Sequence, residues 1–214
     1  MKTKILPIIL IAFIFTACQS NEKKANKLIK DDLYKRLYDF ASYEPVETII
    51  DSAFSSIYRD STILLYAYQV KAYGDKGHEY LEKMKEAKST MEIWSDSYSS
   101  YGELKFDEAK NEFQENRDNV EKCIKEIKEI KKLIREEANK FPKKFIGWEA
   151  KHKFRCKTKG GNPTLANYLY VFDPHFKKII YSEDTENETL EKVRNLIDEA
   201  LNEKTGKDST IESK

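Results

Sequence analysis

Lys151, Lys153 and Arg155 alternate along one short stretch of the chain, and alternate residues of a strand point to one side. A stripe of that kind suits an anionic ligand such as a lipid phosphate or an acidic glycan. Lysines on a strand also serve to keep an exposed sheet edge from pairing with another chain. Trp148, Tyr168 and Tyr170, with Phe172, add rings that stack on sugars, although the same rings are core wherever a helix covers them. His152 and Cys156 share a strand face, but four residues of strand span about 13 Å, too far for one metal ion. His78 lies among charged residues and His175 in a turn, neither with a partner in view. No GxSxG, P-loop, GxGxxG, CxxC or HExxH pattern occurs. The usual devices for activating a nucleophile, cradling phosphate or holding zinc are therefore missing, and no catalytic residue, metal site or cofactor is expected.

The balance of 38 Lys+Arg against 37 Asp+Glu, a formal net charge of +1, supplies no global field for nucleic acid. Locally the charge is uneven. Residues 140–159 are basic apart from Glu149, and the chain turns acidic from Glu183 onward. With 214 residues and 40% hydrophobic content, the chain has the length of about one ordinary domain and can bury a core.

The elements that must position these residues follow from periodicity. Leu28, Ile29, Leu33, Leu37 and Phe40 recur at helical steps, so a helix is expected from about residue 27, after a polar tether over 18–26. Residues 41–60, with Pro45, read as an irregular or short extended connection. A seam over 61–98 runs through Ile63, Ala67, Val70, Gly74, Gly77, Leu81, Met84, Met91 and Tyr98. A second, over 103–140, runs through Phe113, Val120, Ile124, Ile127, Ile134, Ala138 and Phe141, with Ile130 beside it. Equal lengths on either side of the turn-rich 97–102 predict an antiparallel helical hairpin, each arm about 57 Å long. Past Pro142 the period becomes two, and strands are expected at 145–156, 164–172 and 178–181, followed by a helix over 187–201. The fold class is thus α+β: a long antiparallel helical hairpin with a small three-stranded antiparallel sheet and a C-terminal helix. A single domain is expected over 27–203, mainly helical to 141 and sheet plus helix from 142, with a disordered tail over 204–214.

At the amino end, Lys2 and Lys4 precede the apolar run 5–15, and Thr16 and Ala17 stand before Cys18. This has the layout of a secretory signal peptide over residues 1–17, and the run is shorter than the roughly 20 residues that span a bilayer. Phe15-Thr16-Ala17-Cys18 resembles the lipobox of bacterial lipoproteins, with Phe15 where that family most often has Leu. The resemblance implies cleavage before Cys18 and acylation of Cys18, and several acyl chains make a stable anchor. Gln19 after the Cys implies residence at the outer membrane, and Lys23 and Lys24 replace the acidic cluster of surface-exported members, leaving the side of that membrane open. In such a compartment Cys123 and Cys156 are free to pair, or serve as small buried apolar residues.

The stretches around Ser42-Tyr43-Glu44-Pro45-Val46, Phe145-Ile146-Gly147-Trp148 and Tyr170-Val171-Phe172-Asp173 resemble a group of uncharacterised Bacteroidetes lipoproteins over about a third of the chain. Asp51-Ser52-Ala53, Asp60-Ser61-Thr62 and Asp208-Ser209-Thr210 resemble the O-glycosylation motif of exported proteins from the same bacteria, which marks Ser52, Ser61 and Ser209 as candidate glycan sites. The expected function is a non-catalytic interaction or envelope-support module. It would be held to the membrane by lipid and would meet a protein or glycan partner, not nucleic acid. The alternative is an anionic or glycan ligand bound through the C-terminal sheet.

Overall fold

Hydrophobic periods of 3.6 and of two divide the chain as expected, and the protein is a mixture of helix and antiparallel sheet. A computed structural model describes residues 6–203, with side chains from Asn21 onward. In chain order the elements are α1 (Leu6–Arg36), β1 (Asp39–Phe54), a 3-10 turn (Ile57–Arg59), α2 (Ser61–Trp94), α3 (Ser100–Lys140), β2 (Phe145–Lys157), β3 (Pro163–Phe172), β4 (Ile179–Asp184) and α4 (Glu188–Asn202). They form two compact units: Met1–Ser56 with Pro142–Glu188, and Ile57–Phe141 with Thr189–Lys214. The expected tail over 204–214 lies outside the described residues. Among the described residues no helix is long and apolar enough to cross a membrane.

The first unit is a helix on a sheet. Its sheet has four strands, not three, in the order β1-β2-β3-β4, all antiparallel. The added strand is β1, which occupies most of the stretch expected to be an irregular or short extended connection. Its alternation is hidden because its register against β2 slips between Asp39 and Glu44, between Pro45 and Glu47, and between Ala53 and Phe54. Pro45 is tolerated because β1 is an edge strand. The helix-facing side carries Ala150, Phe154 and Cys156 from β2 and Tyr170 and Phe172 from β3, and α1 lays Ala25, Ile29 and Leu33 upon them. Residues 21–26, expected to be a polar tether, are thus helical, with Ala25 already in the core. Arg36 donates to Asp32 and to Ser182 at 3.0 Å each, and the Tyr170 hydroxyl donates to Asp32 at 3.1 Å, fixing the end of α1 to the sheet. Gly147 has φ +143°, and a Cβ there would stand 2.0 Å from the Phe172 carbonyl oxygen, so only glycine fits.

The second unit is an antiparallel hairpin of α2 and α3, joined at one end by α4. Burial corrects both expected seams. In α3 the inner positions repeat every seven residues as Gly102, Ala109, Asn116, Cys123 and Ile130, alternating with Phe106, Phe113, Val120, Ile127 and Ile134. Ile130 is therefore on the seam and Ile124 is exposed. In α2, Ile63, Val70, Gly77, Met84 and Met91 alternate with Tyr66, Tyr73, Tyr80, Ala87 and Trp94, while Leu81 and Tyr98 are exposed. Small residues permit close approach, as where Gly77 lies 3.5 Å from the Cys123 Cβ, measured from an added Cβ. The amphipathic α4 adds Val193, Ile197 and Ala200 to Ile63, Ala67, Val70, Ile130 and Ile134. Lys131 and Arg135 close over its last turn, bonding Glu203 at 2.5 and 3.2 Å, and Arg135 also donates to the Ala200 carbonyl at 2.9 Å.

Leu33 is fully enclosed between α1 and the sheet, whereas Leu165, on β3 of the same unit, is 42% exposed. Leu33→Ala is expected to lower unfolding stability by about 2–5 kcal/mol and Leu165→Ala by less than about 1 kcal/mol, read from urea denaturation of the two variants.

Candidate functional site

Strand alternation places the rings and the cations that the sequence offered as ligand contacts on opposite faces of the sheet. Trp148, Tyr168 and Tyr170 lie on the helix-covered face, and Lys151, Lys153 and Arg155 on the opposite one. Tyr170 has no exposed surface, and its hydroxyl is committed to Asp32. Desolvation, with the nearby Asp32 carboxylate second, pushes that hydroxyl well above the ordinary tyrosine range. Tyr168 lies under the Arg36 guanidinium, 5.1 Å from its ring centre, and Trp148 stacks on Phe176 while its indole N–H donates to the Pro174 carbonyl. Tyr170 is core, and Trp148 and Tyr168 are partly buried and packed against it. The cations belong to an interior strand, so edge protection is not their role. Acids of β1 stand across from them: Glu44 pairs with Arg155 at 3.6 Å, and Glu47 is the register partner of Lys153. Ser52 and Ser61 are both exposed, on an edge strand and in the first turn of α2, while Ser209 and the Cys18 side chain lie outside what is described. Cys123 and Cys156 are both buried and unpaired with each other, one in each unit.

His152, expected to be a core or surface histidine, is a core one. It is 2% exposed, stacked on Phe154, and bonded through both ring nitrogens. Thr48 donates its single hydroxyl hydrogen to Asn26 Oδ1 at 3.0 Å, so its oxygen, 2.9 Å from His152 Nδ1, accepts from the ring. The Tyr43 hydroxyl, 3.0 Å from Nε2, then donates to the other nitrogen. Burial drives the imidazole pKa down to about 4, with a weaker opposing bond to the Glu47 backbone. At neutral pH the ring is uncharged and both nitrogens are occupied, an arrangement that builds structure and leaves no free base.

Directly beside this relay is a cavity of about 490 Å³, lined by Asn26, Lys30, Phe40, Ala41, Tyr43, Pro45 and Thr48. Its walls are α1 and the irregular start of β1. Phe40, Ala41 and Tyr43 fall within the register slip between Asp39 and Glu44, and Pro45 opens the next one, while Thr48 lies beyond both in register with His152; extra residues at bulges re-aim side chains in this way. Sequence periodicity could not have found it, because Tyr43 is placed by the irregularity itself, within the first register slip. Asn26 and Lys30, four apart at the margin of the buried stripe of α1, form the other wall, and Asn26 lies in the stretch expected to be a polar tether.

A third feature lies at the turn of the helical hairpin. Ile93, Tyr98, Tyr101 and Leu104 are exposed together there, Tyr98 completely. Ser99 caps α3 by accepting from the Gly102 amide, and Trp94 meets Tyr101 edge-on. The surrounding charges are acidic: Glu92, Asp96, Glu103, Asp107 and Glu108, against Lys105, which is paired with Glu108 at 2.6 Å. Among the described residues no group of His, Cys, Asp and Glu could hold a metal ion. Comparisons with protein-family models, curated proteins and solved structures find no match to this chain.

The pH dependence of stability follows from His152. Its folded-state pKa of about 4 lies below the ordinary 6.5, so between these values the unfolded chain takes up the proton first. The contribution is fully present above pH 6.5 and declines as pH falls toward 4, by a total on the order of 3 kcal/mol. Urea midpoints of the native chain and of His152→Gln, measured across that window, should diverge in slope, the variant lacking this component.

Proposed function

We propose that the chain is a lipid-anchored outer-membrane lipoprotein that acts as a non-catalytic interaction module, with the turn of its helical hairpin as the contact surface. One observation carries the interaction reading: the hairpin ends in an exposed apolar and aromatic group, Ile93, Tyr98, Tyr101 and Leu104, set among acids. Tyrosines of this kind supply large contact area at low entropic cost and are favoured in binding hot spots. The occupant is a protein partner with an apolar socket and a basic rim, since the acidic margin repels nucleic acid and anionic lipid alike.

The anchor rests on the sequence, through the charged and apolar leader and the lipobox-like Phe15-Thr16-Ala17-Cys18. Ser52 and Ser61, exposed in both cases, are accessible to glycosylation. The alternative, a ligand site formed by Lys151, Lys153, Arg155, Trp148, Tyr168 and Tyr170 acting together, is disfavoured by their division between opposite faces of the sheet.

Cys18→Ala tests the anchor. The native chain is expected in the membrane fraction with the mass of a diacylglycerol and a further acyl group, and the variant without that mass and without membrane retention. A native chain recovered soluble and unacylated would remove the anchor from this proposal.

A further inference from the structure

The cavity between α1 and the start of β1 has a donor inventory that selects its ligand. The hydrogen of the Tyr43 hydroxyl is directed to His152, and that of Thr48 to Asn26 Oδ1. The Asn26 side-chain amide therefore retains its N–H donors, and it lines the cavity together with the Lys30 ammonium, the one charged group in the lining. No acid lines the space. Opposite these donors stand Phe40, Ala41 and Pro45, which offer an apolar wall. A volume of about 490 Å³ is within the ordinary range for small-molecule pockets, and the combination of apolar walls with a few convergent polar groups is what such pockets use.

The walls are also held in place. Phe40 stacks on Tyr43 with ring centres 5.4 Å apart, Tyr43 packs against Phe154, and the bonds through His152 and Thr48 tie β1 to both α1 and β2. A side-chain relay that joins three elements around an open cavity, with its only spare donors turned to that cavity, is a pre-organised receptor.

We propose that this cavity binds a small organic anion, a carboxylate or phosphate ester on an apolar body, whose charge meets Lys30 and the Asn26 amide and whose body lies against Phe40, Ala41 and Pro45. Two sources share that chemistry, a free metabolite and the headgroup of an anionic phospholipid. The site does not depend on the hairpin turn or on the identity of its partner.

The test uses the full-length chain labelled with ¹⁵N-histidine, in non-ionic detergent, with the ring signals of His152 as reporter, since they lie one residue behind the cavity. Hexanoate is the free-anion probe and hexanol its uncharged match. Nanodiscs of phosphatidylglycerol and of phosphatidylcholine are the lipid probes. Saturable shifts with hexanoate and not hexanol, weakened about tenfold or more by Lys30→Met, support a free anion. Shifts in phosphatidylglycerol but not phosphatidylcholine nanodiscs, again lost in Lys30→Met, support a headgroup. Lys30 is exposed, so this variant keeps the fold, and an unchanged His152 spectrum in the absence of probe verifies it. No shift with either anion, an equal response to hexanol, or an undiminished response in Lys30→Met would overturn the proposal.

Discussion

One face of the sheet is an unbroken run of aromatic rings, and something apolar must cover it. From Phe40 and Tyr43 through Phe154, Tyr168, Tyr170 and Phe172 to Phe176 and Trp148, each ring lies within about 6.5 Å of the next. The cover is α1, whose Ala25, Ile29 and Leu33 recur every four residues and present a narrow apolar stripe. Much else in that unit follows. Because the rings are covered, Tyr170 is spoken for by Asp32 and cannot meet a ligand. Because strands alternate, the cations are forced to the other face. Where β1 departs from regular pairing, α1 cannot follow it closely, and the space left between them is the cavity beside His152. Buried polar groups there are tolerable because each finds a partner, from Tyr43 through His152 and Thr48 to Asn26.

The second unit obeys a different constraint, a strict seven-residue repeat. Layers of small or polar residues on α3, Gly102 to Cys123, alternate with layers of Phe, Val and Ile, and the two helices mesh only in that register. Asn116 is buried within this seam, its side-chain amide donating back along α3 to the Glu112 carbonyl at 2.8 Å. Away from α4 the seam is shared by two helices alone, and the apolar residues at the turn are left without cover.

What the sequence made legible was set by regularity. The hairpin, the strands β2, β3 and β4, and α4 were each announced by a clean period. The sheet lost one strand in the expectation because Pro45 and three register slips erase the alternation of β1. The seams were placed about one residue out at every second layer, since Leu81 and Ile124 outrank Tyr80 and Cys123 in hydrophobicity although the latter pair face inward. Tyr168, Tyr170 and Phe172 share one face of β3 as alternation requires, but alternation could not say whether that face was open or covered. The cavity was invisible for a related reason: its lining joins residues of α1 to residues of an irregular strand, a proximity that no local pattern encodes. His152 was legible as a residue on the apolar face of its strand, but its two hydrogen-bond partners, which come from the irregular β1, were not.

The proposed role, a tethered interaction module, would need a stable scaffold and an exposed contact, for which the packed hairpin and its uncovered turn are the candidates. The most direct test of where recognition occurs places a photoreactive residue at Tyr98, at the hairpin turn, or at Lys122, exposed midway along α3, and irradiates living cells that express the chain. A discrete adduct from position 98, weakened by raised salt and absent from position 122, is the expected result. The same diffuse adducts from both positions, or none from position 98, would contradict the assignment of the hairpin turn as the contact surface.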